Sequence, residues 1–151
     1  MRFETVKDVL DHAQELHEGL AAYYRRLAGD ARGERVRLLL DYLARHEANM
    51  AQALGRYGDE TAAKIRDTWF RNAPDDAVLA CIPPAGPVAG MTLDEIVGVA
   101  IQLDDCITDL YLAAARNAEL PEAREAFRNL VDAERQEKQR MVRQALGLAD
   151  L

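Results

Sequence analysis

The chain has 151 residues, of which 49% are apolar and 30% are charged, and its formal net charge is −7. This length and composition are typical of a helical protein with one hydrophobic core, and they argue against disorder. The acidic balance, without an isolated run of Lys or Arg, argues against nucleic acid as a partner. The sequence has neither a run of signal-peptide type at its start nor an apolar stretch long enough to span a bilayer, so we expect no membrane association and a cytoplasmic location.

Two long helices joined by a short break are predicted in residues 5–56. The first begins near Thr5, whose hydroxyl can cap the following turn, and runs to about Ala28; the second runs from about Glu34 to Arg56. A short break between long helices implies antiparallel neighbours. We call the positions spaced three and four apart on one helix face the seam. The seams comprise Val6, Leu10, Ala13, His17, Leu20, Tyr24 and Leu27 in the first helix, and Val36, Leu40, Leu43, Glu47, Met50 and Leu54 in the second.

Residues 57–91 are predicted to form a crossover between two helix pairs. A short helix is expected from about Thr61 to Phe70, and the proline-rich stretch that follows cannot continue a helix. Trp69 and Phe70 lie at the end of the short helix. We expect these aromatic side chains to pin the crossover to the bundle or to cover a dimer surface, with cofactor binding as the alternative.

A second helix pair is predicted in residues 92–147. The third helix begins at Thr92 and ends near Asn117 to Leu120, and Pro121 opens the fourth, which Gly147 ends. The seams comprise Leu93, Val97, Ala100, Asp104, Ile107, Tyr111 and Ala114 in the third helix, and Ala123, Phe127, Leu130, Glu134, Glu137 and Met141 in the fourth.

The two helix pairs repeat each other in sequence. Adding 87 to a position of the first pair gives its counterpart in the second, so that Thr5 falls on Thr92 and Glu47 on Glu134 without a gap. The same shift pairs Tyr24 with Tyr111. The repeat also pairs His17 with Asp104, and Met50 with Glu137. The prediction is therefore one all-α domain over residues 1–151, an antiparallel four-helix bundle built from two structural repeats and one long crossover.

The acids on the seams need a compensating charge. His17 and Asp104 each lie about a dozen residues before a break between helices, and Glu47 and Glu134 each lie about as far after one. A helix rises about 1.5 Å per residue, so all four side chains reach a similar level of the bundle. Glu137 adds a fourth acid there, and no Lys or Arg occupies a seam position. A buried unpaired carboxylate costs several kcal/mol, and like charges add to this cost. Three compensations are possible: bound cations, protons held by raised pKa values, or water.

Cations explain these residues most economically, because carboxylates from facing helices can bridge two divalent metals. The alternative is a hydrated polar network that fixes the helix register, with Tyr24 and Tyr111 as hydrogen-bond donors. His46 flanks the seam beside Glu47, where it is either a ligand that swings inward or a surface or half-buried group at the edge of the seam.

The two helix pairs, the spacing from His17 to Tyr24 and from Asp104 to Tyr111, and the two seam glutamates resemble the ferritin-like superfamily, in particular its rubrerythrin-like branch. The resemblance covers nearly the whole chain outside the crossover. In that family each half supplies a Glu about two turns before a Tyr and then a Glu-x-x-His motif, and the two motif glutamates bridge a di-iron pair.

This sequence keeps the bridging acids and the tyrosines but departs from the family elsewhere. His17 and Asp104 stand where the helices of the family have Glu, and Met50 and Glu137 replace the motif histidines. A thioether is a poor ligand for such metals. The resemblance implies iron or manganese bound by His17, Glu47, Asp104, Glu134 and Glu137, with Tyr24, Tyr111, His46 and Met50 around them.

Two functions stay open at this point. The first is a di-metal oxidoreductase that acts on oxygen, peroxide or ferrous iron; it would need a separate redox partner protein, because the chain has no Cys-x-x-Cys pair. The second is a non-catalytic helical scaffold or interaction protein whose metal site has decayed. The resemblance implies a homodimer in either case. Apolar positions off the seams are expected to supply surface for a partner; these are Leu38, Leu39, Leu110 and Leu112.

Overall fold

The computed structural model describes residues 4–71 and 90–150, and its regular elements over these ranges are helices. They are α1 (Val6–Asp30), α2 (Glu34–Glu60), α3 (Ala63–Arg66), α4 (Leu93–Asn117) and α5 (Pro121–Ala149). α1 packs mainly on α2, and α4 packs mainly on α5; the two pairs meet where α2 contacts α4 and α5. The predicted all-α bundle of two helix pairs is confirmed.

Both helix pairs begin with the same capping arrangement. The Thr5 hydroxyl accepts from the backbone N–H of Asp8 at 3.3 Å, and the Asp8 carboxylate accepts from the N–H of Thr5 at 3.1 Å. Thr92 and Glu95 repeat this reciprocal pair at the start of α4. Such a capping box satisfies backbone donors that the first helical turn leaves without partners.

The helix bounds follow the sequence repeat. Adding 87 to both ends of α1 gives both ends of α4, and adding 87 to the start of α2 gives Pro121, the start of α5. The helices extend slightly beyond the predicted ends. α1 continues through Gly29 to Asp30, and α2 continues to Glu60, so the first residues of the predicted crossover are helical.

The described part of the crossover binds both helix pairs at one end of the bundle. Its predicted short helix is a single turn, α3, and it is followed by isolated β-bridges that pair Trp69 with Thr5 and Phe70 with Ala118. Phe70 is buried with its ring centroid 6.1 Å from that of Phe127, whereas Trp69 is 61% exposed. Phe70 thus pins the crossover to the bundle. The proline-rich part of the predicted crossover lies outside the described residues.

These bridges also determine the direction of the helices. The start of α1 and the end of α4 both bond to residues 68–71, at the end of the bundle where α2 finishes. α2 and α4 therefore run in the same direction. Parallel neighbours cannot be joined by a tight turn, which accounts for the long connection.

The core lies between the four long helices. All seven predicted seam positions of α1 are buried. The prediction that four leucines off the seams form partner surface is wrong for Leu39 and Leu110, which are 0% exposed, because neighbouring helices cover more than one face of α2 and α4. Leu112 is half-buried against the core, and Leu38 is 44% exposed. In the ranges that the structure describes, no helix is long and apolar enough to cross a membrane.

Candidate functional site

Each of the four long helices places one polar side chain in the middle of the core. His17 of α1, Glu47 of α2, Asp104 of α4 and Glu134 of α5 are 0%, 1%, 5% and 2% exposed. All four occupy seam positions, so the helical period that buries the neighbouring leucines buries them as well.

His17 lies between the two glutamates and contacts both. Its Nε2 is 2.9 Å from Oε1 of Glu134, and its Nδ1 is within hydrogen-bonding distance of Oε2 of Glu47. Both ring nitrogens of a histidine can donate at once only when the ring is an imidazolium. Burial lowers the pKa of His17, but the hydrogen bonds to Glu134 and Glu47 outweigh it and raise that pKa to about 10.

Asp104 is neutralised by a proton. Burial, followed by the charges of Glu47 and Glu134, raises the pKa of this carboxyl to about 8, although His17 and Lys138 act in the opposite direction. At neutral pH the cluster therefore holds an imidazolium and a carboxylic acid beside its two glutamates. Raised pKa values are the second of the three compensations that the sequence leaves open.

Tyr24 and Tyr111 are fully buried next to this cluster. Burial raises the pKa of both phenols above its ordinary value, and Glu47 adds to the effect on each. The Tyr111 hydroxyl and Oε2 of Glu134 have no hydrogen-bond partner among the described residues. Buried polar atoms without partners are uncommon, so these two are the places where the site can accept a water molecule or a polar ligand.

Glu137 does not join the central cluster. Its side chain is 22% exposed, its Oε1 accepts from Arg140 at 2.5 Å, and its Oε2 is 3.3 Å from Nδ1 of His46. A helix turns by about 100° per residue, so a side chain three positions after Glu134 lies about 60° to one side. There it meets the edge of α2. The five residues predicted as ligands thus separate into four in the core and one at the α2–α5 edge.

Glu137 and His46 form a contact at the edge of α2, and Met50 lies on the same side of α2 as His46. His46 is 8% exposed, its ring stacks on Tyr42 with centroids 6.4 Å apart, and its Nε2 has no partner within the described ranges. Met50 is half-buried. His46 is therefore a buried group at the α2–α5 edge that contacts Glu137, and it is more buried than the surface or half-buried position that the sequence suggested as the alternative to a ligand.

As placed, these residues do not fit a two-metal centre. Glu47 and Glu134 would have to bridge the metals, but both direct an oxygen at the ring of His17. The outer positions would fall to Met50, a poor donor, and to Glu137, which is bonded to Arg140 and His46. Across residues 4–71 and 90–150, no three His, Cys, Asp or Glu side chains are positioned to share a metal ion. That the predicted ligands bind metal stays a prediction.

The sequence predicted that His17 lies at the same level of the bundle as the acids. It did not predict that the ring contacts both Glu47 and Glu134. One signal was available, because a single histidine on a seam that faces two seam glutamates is the only nearby group able to donate to both. The link from His46 to Glu137 and Arg140 was also missed. It depends on how two helix edges meet, which neither helix shows by itself.

Comparison with known proteins supports the fold. No protein-family model matches the chain, and no curated protein matches it. Among solved structures, a crystal structure from Thermotoga maritima described as a candidate ferritin-like diiron-carboxylate protein is similar, with a TM-score of 0.60 and 19% identity. The alignment covers 96% of this chain and 97% of that one. The chain therefore has a ferritin-like fold.

Proposed function

We propose that this chain is a ferritin-like helical scaffold or interaction protein, in whose central site protons and not metal ions offset most of the acidic charge. The observation that carries the proposal is the position of His17, whose two ring nitrogens contact one glutamate from each helix pair. In this arrangement the polar cluster joins the two repeats and fixes their register.

The energetic argument concerns the cost of the buried acids. Removing carboxylates from water costs several kcal/mol each, and this cost is recovered only when their charges and lone pairs find partners. His17 supplies two donors and one positive charge, and Asp104 carries a proton at neutral pH. The two protons thereby reduce the net charge of the four groups from −3 to −1 without a metal ion. A bridging metal would have to displace the imidazolium ring.

The test is elemental analysis of protein from cells grown with iron and manganese and purified without chelator. We expect metal well below one ion per chain and an unfolding temperature that a chelator does not change. Metal bound stoichiometrically, and lost in Glu47→Ala, would overturn the proposal. The variant Gln136→Ala, an exposed position of α5, serves as the matched control for metal content.

A second candidate is a metal-dependent oxidoreductase that uses iron or manganese and acts on oxygen, peroxide or ferrous iron. Two observations favour it: the unpartnered Oε2 of Glu134 beside a buried unpartnered tyrosine, and the description of the Thermotoga maritima protein as a candidate diiron-carboxylate protein. Its ligands would be His17, Glu47, Asp104 and Glu134, and Glu137 would have to leave Arg140. Stoichiometric metal would make this candidate the one to pursue, with peroxidase and ferroxidase assays and a search for a separate redox partner.

We also propose that the chain forms a homodimer. The large apolar side chains that stay exposed in the described ranges are Leu38, Trp69 and Leu146, at 44%, 61% and 61%. Such residues are candidates for contact with a second copy. Sedimentation equilibrium over a range of concentrations tests this proposal, and a monomer at the highest concentration would contradict it.

A further inference from the structure

We infer that a cleft between α1, α2 and α3 binds a small zwitterion of the α-amino-acid type, which carries one carboxylate and one ammonium group. The cleft encloses about 270 Å³. Of its lining residues, Asp11 lies six positions before His17, and Gly55 lies eight positions after Glu47. A helix rises about 1.5 Å per residue, so the cleft lies about 10 Å along the bundle from the central acids. The inference therefore goes beyond the proposed function and does not rest on it.

Two glycines of α2 form one wall of the cleft. An added Cβ at Gly55 would lie 3.1 Å from Nε2 of Gln14, so this amide packs directly against the backbone of α2. An added Cβ at Gly58 would meet no atom within 4 Å. Residues three apart share a helix face, and both glycines line the cleft together with the buried side chains of Leu10 and Leu54. The missing side chains of these glycines therefore leave the space that a ligand would occupy.

The charged side chains that line the cleft are two of each sign, namely Lys7, Asp11, Asp59 and Arg66. Nζ of Lys7 is bonded to Oδ2 of Asp11 at 2.5 Å. Asp59 and Arg66 form no ion pair with each other or with any other residue in the ranges 4–71 and 90–150. Nε of Arg66 also lacks a hydrogen-bond partner in these ranges. The cleft thus has no net charge, but it holds one acid and one base that are not paired.

Arg66 marks the end of the cleft that suits a carboxylate. The hydrogen bond and the charge of Asp11 raise the pKa of Lys7, and the charge of Arg66 opposes them, which indicates that the two cations are close together. Asp11 is already bonded to Lys7 and so leaves Arg66 without an anion of its own. A guanidinium group binds carboxylates through paired N–H donors. A carboxylate of the ligand would supply the missing anion.

Asp59 marks the end that suits an ammonium group, because its carboxylate can accept hydrogen bonds and offers the opposite charge. A ligand with only negative charge would be repelled by Asp11 and Asp59, and one with only positive charge by Lys7 and Arg66. A zwitterion matches both ends and leaves neither unpaired. The volume suits a molecule of the size of an amino acid, since pockets for drug-sized ligands are larger.

The experiment is a ligand titration of isotopically labelled wild-type protein, followed by heteronuclear NMR at about pH 6, where the ligand amines are protonated. The probes are L-leucine and L-glutamine. Each is compared with its carboxamide, which lacks the carboxylate, and with its N-acetyl derivative, which lacks the ammonium group. We expect at least one of the two amino acids to shift the amide signals of Gly55 and Gly58, with a dissociation constant of about 1 mM or below. The signal of Gly98, in α4, should not move.

Two charge variants assign the two ends of the ligand. Arg66→Gln should weaken binding of the amino acid at least about tenfold, because it removes the partner of the carboxylate. Asp59→Asn should also weaken binding of the amino acid, but it should not weaken binding of the N-acetyl derivative, which has no ammonium group. Arg71→Gln is the matched control, because Arg71 is 74% exposed and pairs with Glu119 outside the cleft.

Gly58→Leu places a side chain at the wall of the cleft without removing a charge. It should abolish the ligand-induced shifts and remain folded, because leucine favours a helix more than glycine does and no atom obstructs the new Cβ. Gly98→Leu, at an exposed and equally unobstructed position of α4, should bind the ligand as wild type does. This pair keeps the inference testable if Arg66→Gln is poorly folded.

Three results would overturn the inference. The first is the absence of shifts at Gly55 and Gly58 with either amino acid at concentrations up to about 10 mM. The second is binding to wild type that is as tight for the carboxamide or the N-acetyl derivative as for the amino acid. The third is binding that Gly58→Leu, Arg66→Gln or Asp59→Asn leaves unchanged. None of these results depends on metal content, which tests the proposed function separately.

Discussion

His17 Nε2 donates to Oε1 of Glu134 across 2.9 Å, although the two residues are 117 positions apart in the chain. The bond links α1 of the first repeat directly to α5 of the second. Because the other ring nitrogen contacts Glu47, one side chain connects three of the four long helices. Substitutions at His17 should therefore lower the free energy of unfolding of the whole bundle, because they affect three helices at once.

Replacing His17 by Leu should destabilise the protein by about 3 to 5 kcal/mol, because it leaves two buried carboxylates without their partner. The triple variant His17→Leu, Glu47→Leu, Glu134→Leu should recover most of this loss, because an apolar core does not need the ion pairs. Urea unfolding of both proteins measures the difference in the free energy of unfolding. A triple variant less stable than the single one would show that the cluster contributes more than mutual neutralisation.

The free energy of unfolding should fall as pH rises from about 4 to about 10. The pKa of Asp104 is raised from 3.8 to about 8, so the folded state holds a proton that the unfolded state has lost, and stability declines over this interval. The pKa of His17 is raised from 6.5 to about 10, so its contribution is complete below 6.5 and is lost toward 10. Both contributions have the same sign. Urea unfolding at a series of pH values measures their sum.

Asp104→Asn separates these two contributions to the pH dependence. It should flatten the profile between about pH 4 and 6.5 and leave the decline from about 6.5 to 10, which belongs to His17 with its partners Glu47 and Glu134. The control is Asp109→Asn, an exposed position of the same helix, which should keep the wild-type profile. A profile unchanged in Asp104→Asn would refute the raised pKa of that carboxyl.

Phe70→Ala should cost about 3 kcal/mol, because it removes the buried ring that packs on Phe127 and leaves a cavity between the crossover and α5. Trp69→Ala, one position earlier, should cost less than about 1 kcal/mol, since that side chain is 61% exposed. Thermal or urea unfolding of the two variants gives this contrast. Equal losses would mean that Trp69 is buried in solution, for example in the proposed dimer.

Thr5→Ala and Thr92→Ala should each cost about 1 kcal/mol, because each removes the side-chain acceptor of a capping box. The two losses should add in the double variant, because the caps share no partner. Urea unfolding of the three variants checks this expectation. A loss at only one of the two sites would show that the two caps have the same geometry but contribute differently to stability.

The bundle and its repeat could be read from the sequence because both depend on local pattern. Apolar spacings of three and four predict helices, Thr5 and Thr92 mark their starts, and the shift of 87 positions that aligns the two halves also aligns the helix bounds. The level of the buried acids follows from helix rise and the position of the breaks. These properties require no knowledge of the partner surface.

Tertiary structure decided which atoms meet. Side chains at the same level of two helices can point toward each other or away. The packing of the helices places His17 between Glu47 and Glu134. It also places Glu137 against His46 and Arg140. Packing also buries Leu39 and Leu110, because each helix meets neighbours on more than one side. The sequence determined that acids lie in the core. The compensating charge was decided by the relative rotation and side-chain conformations of helices far apart in the chain, which no local pattern encodes.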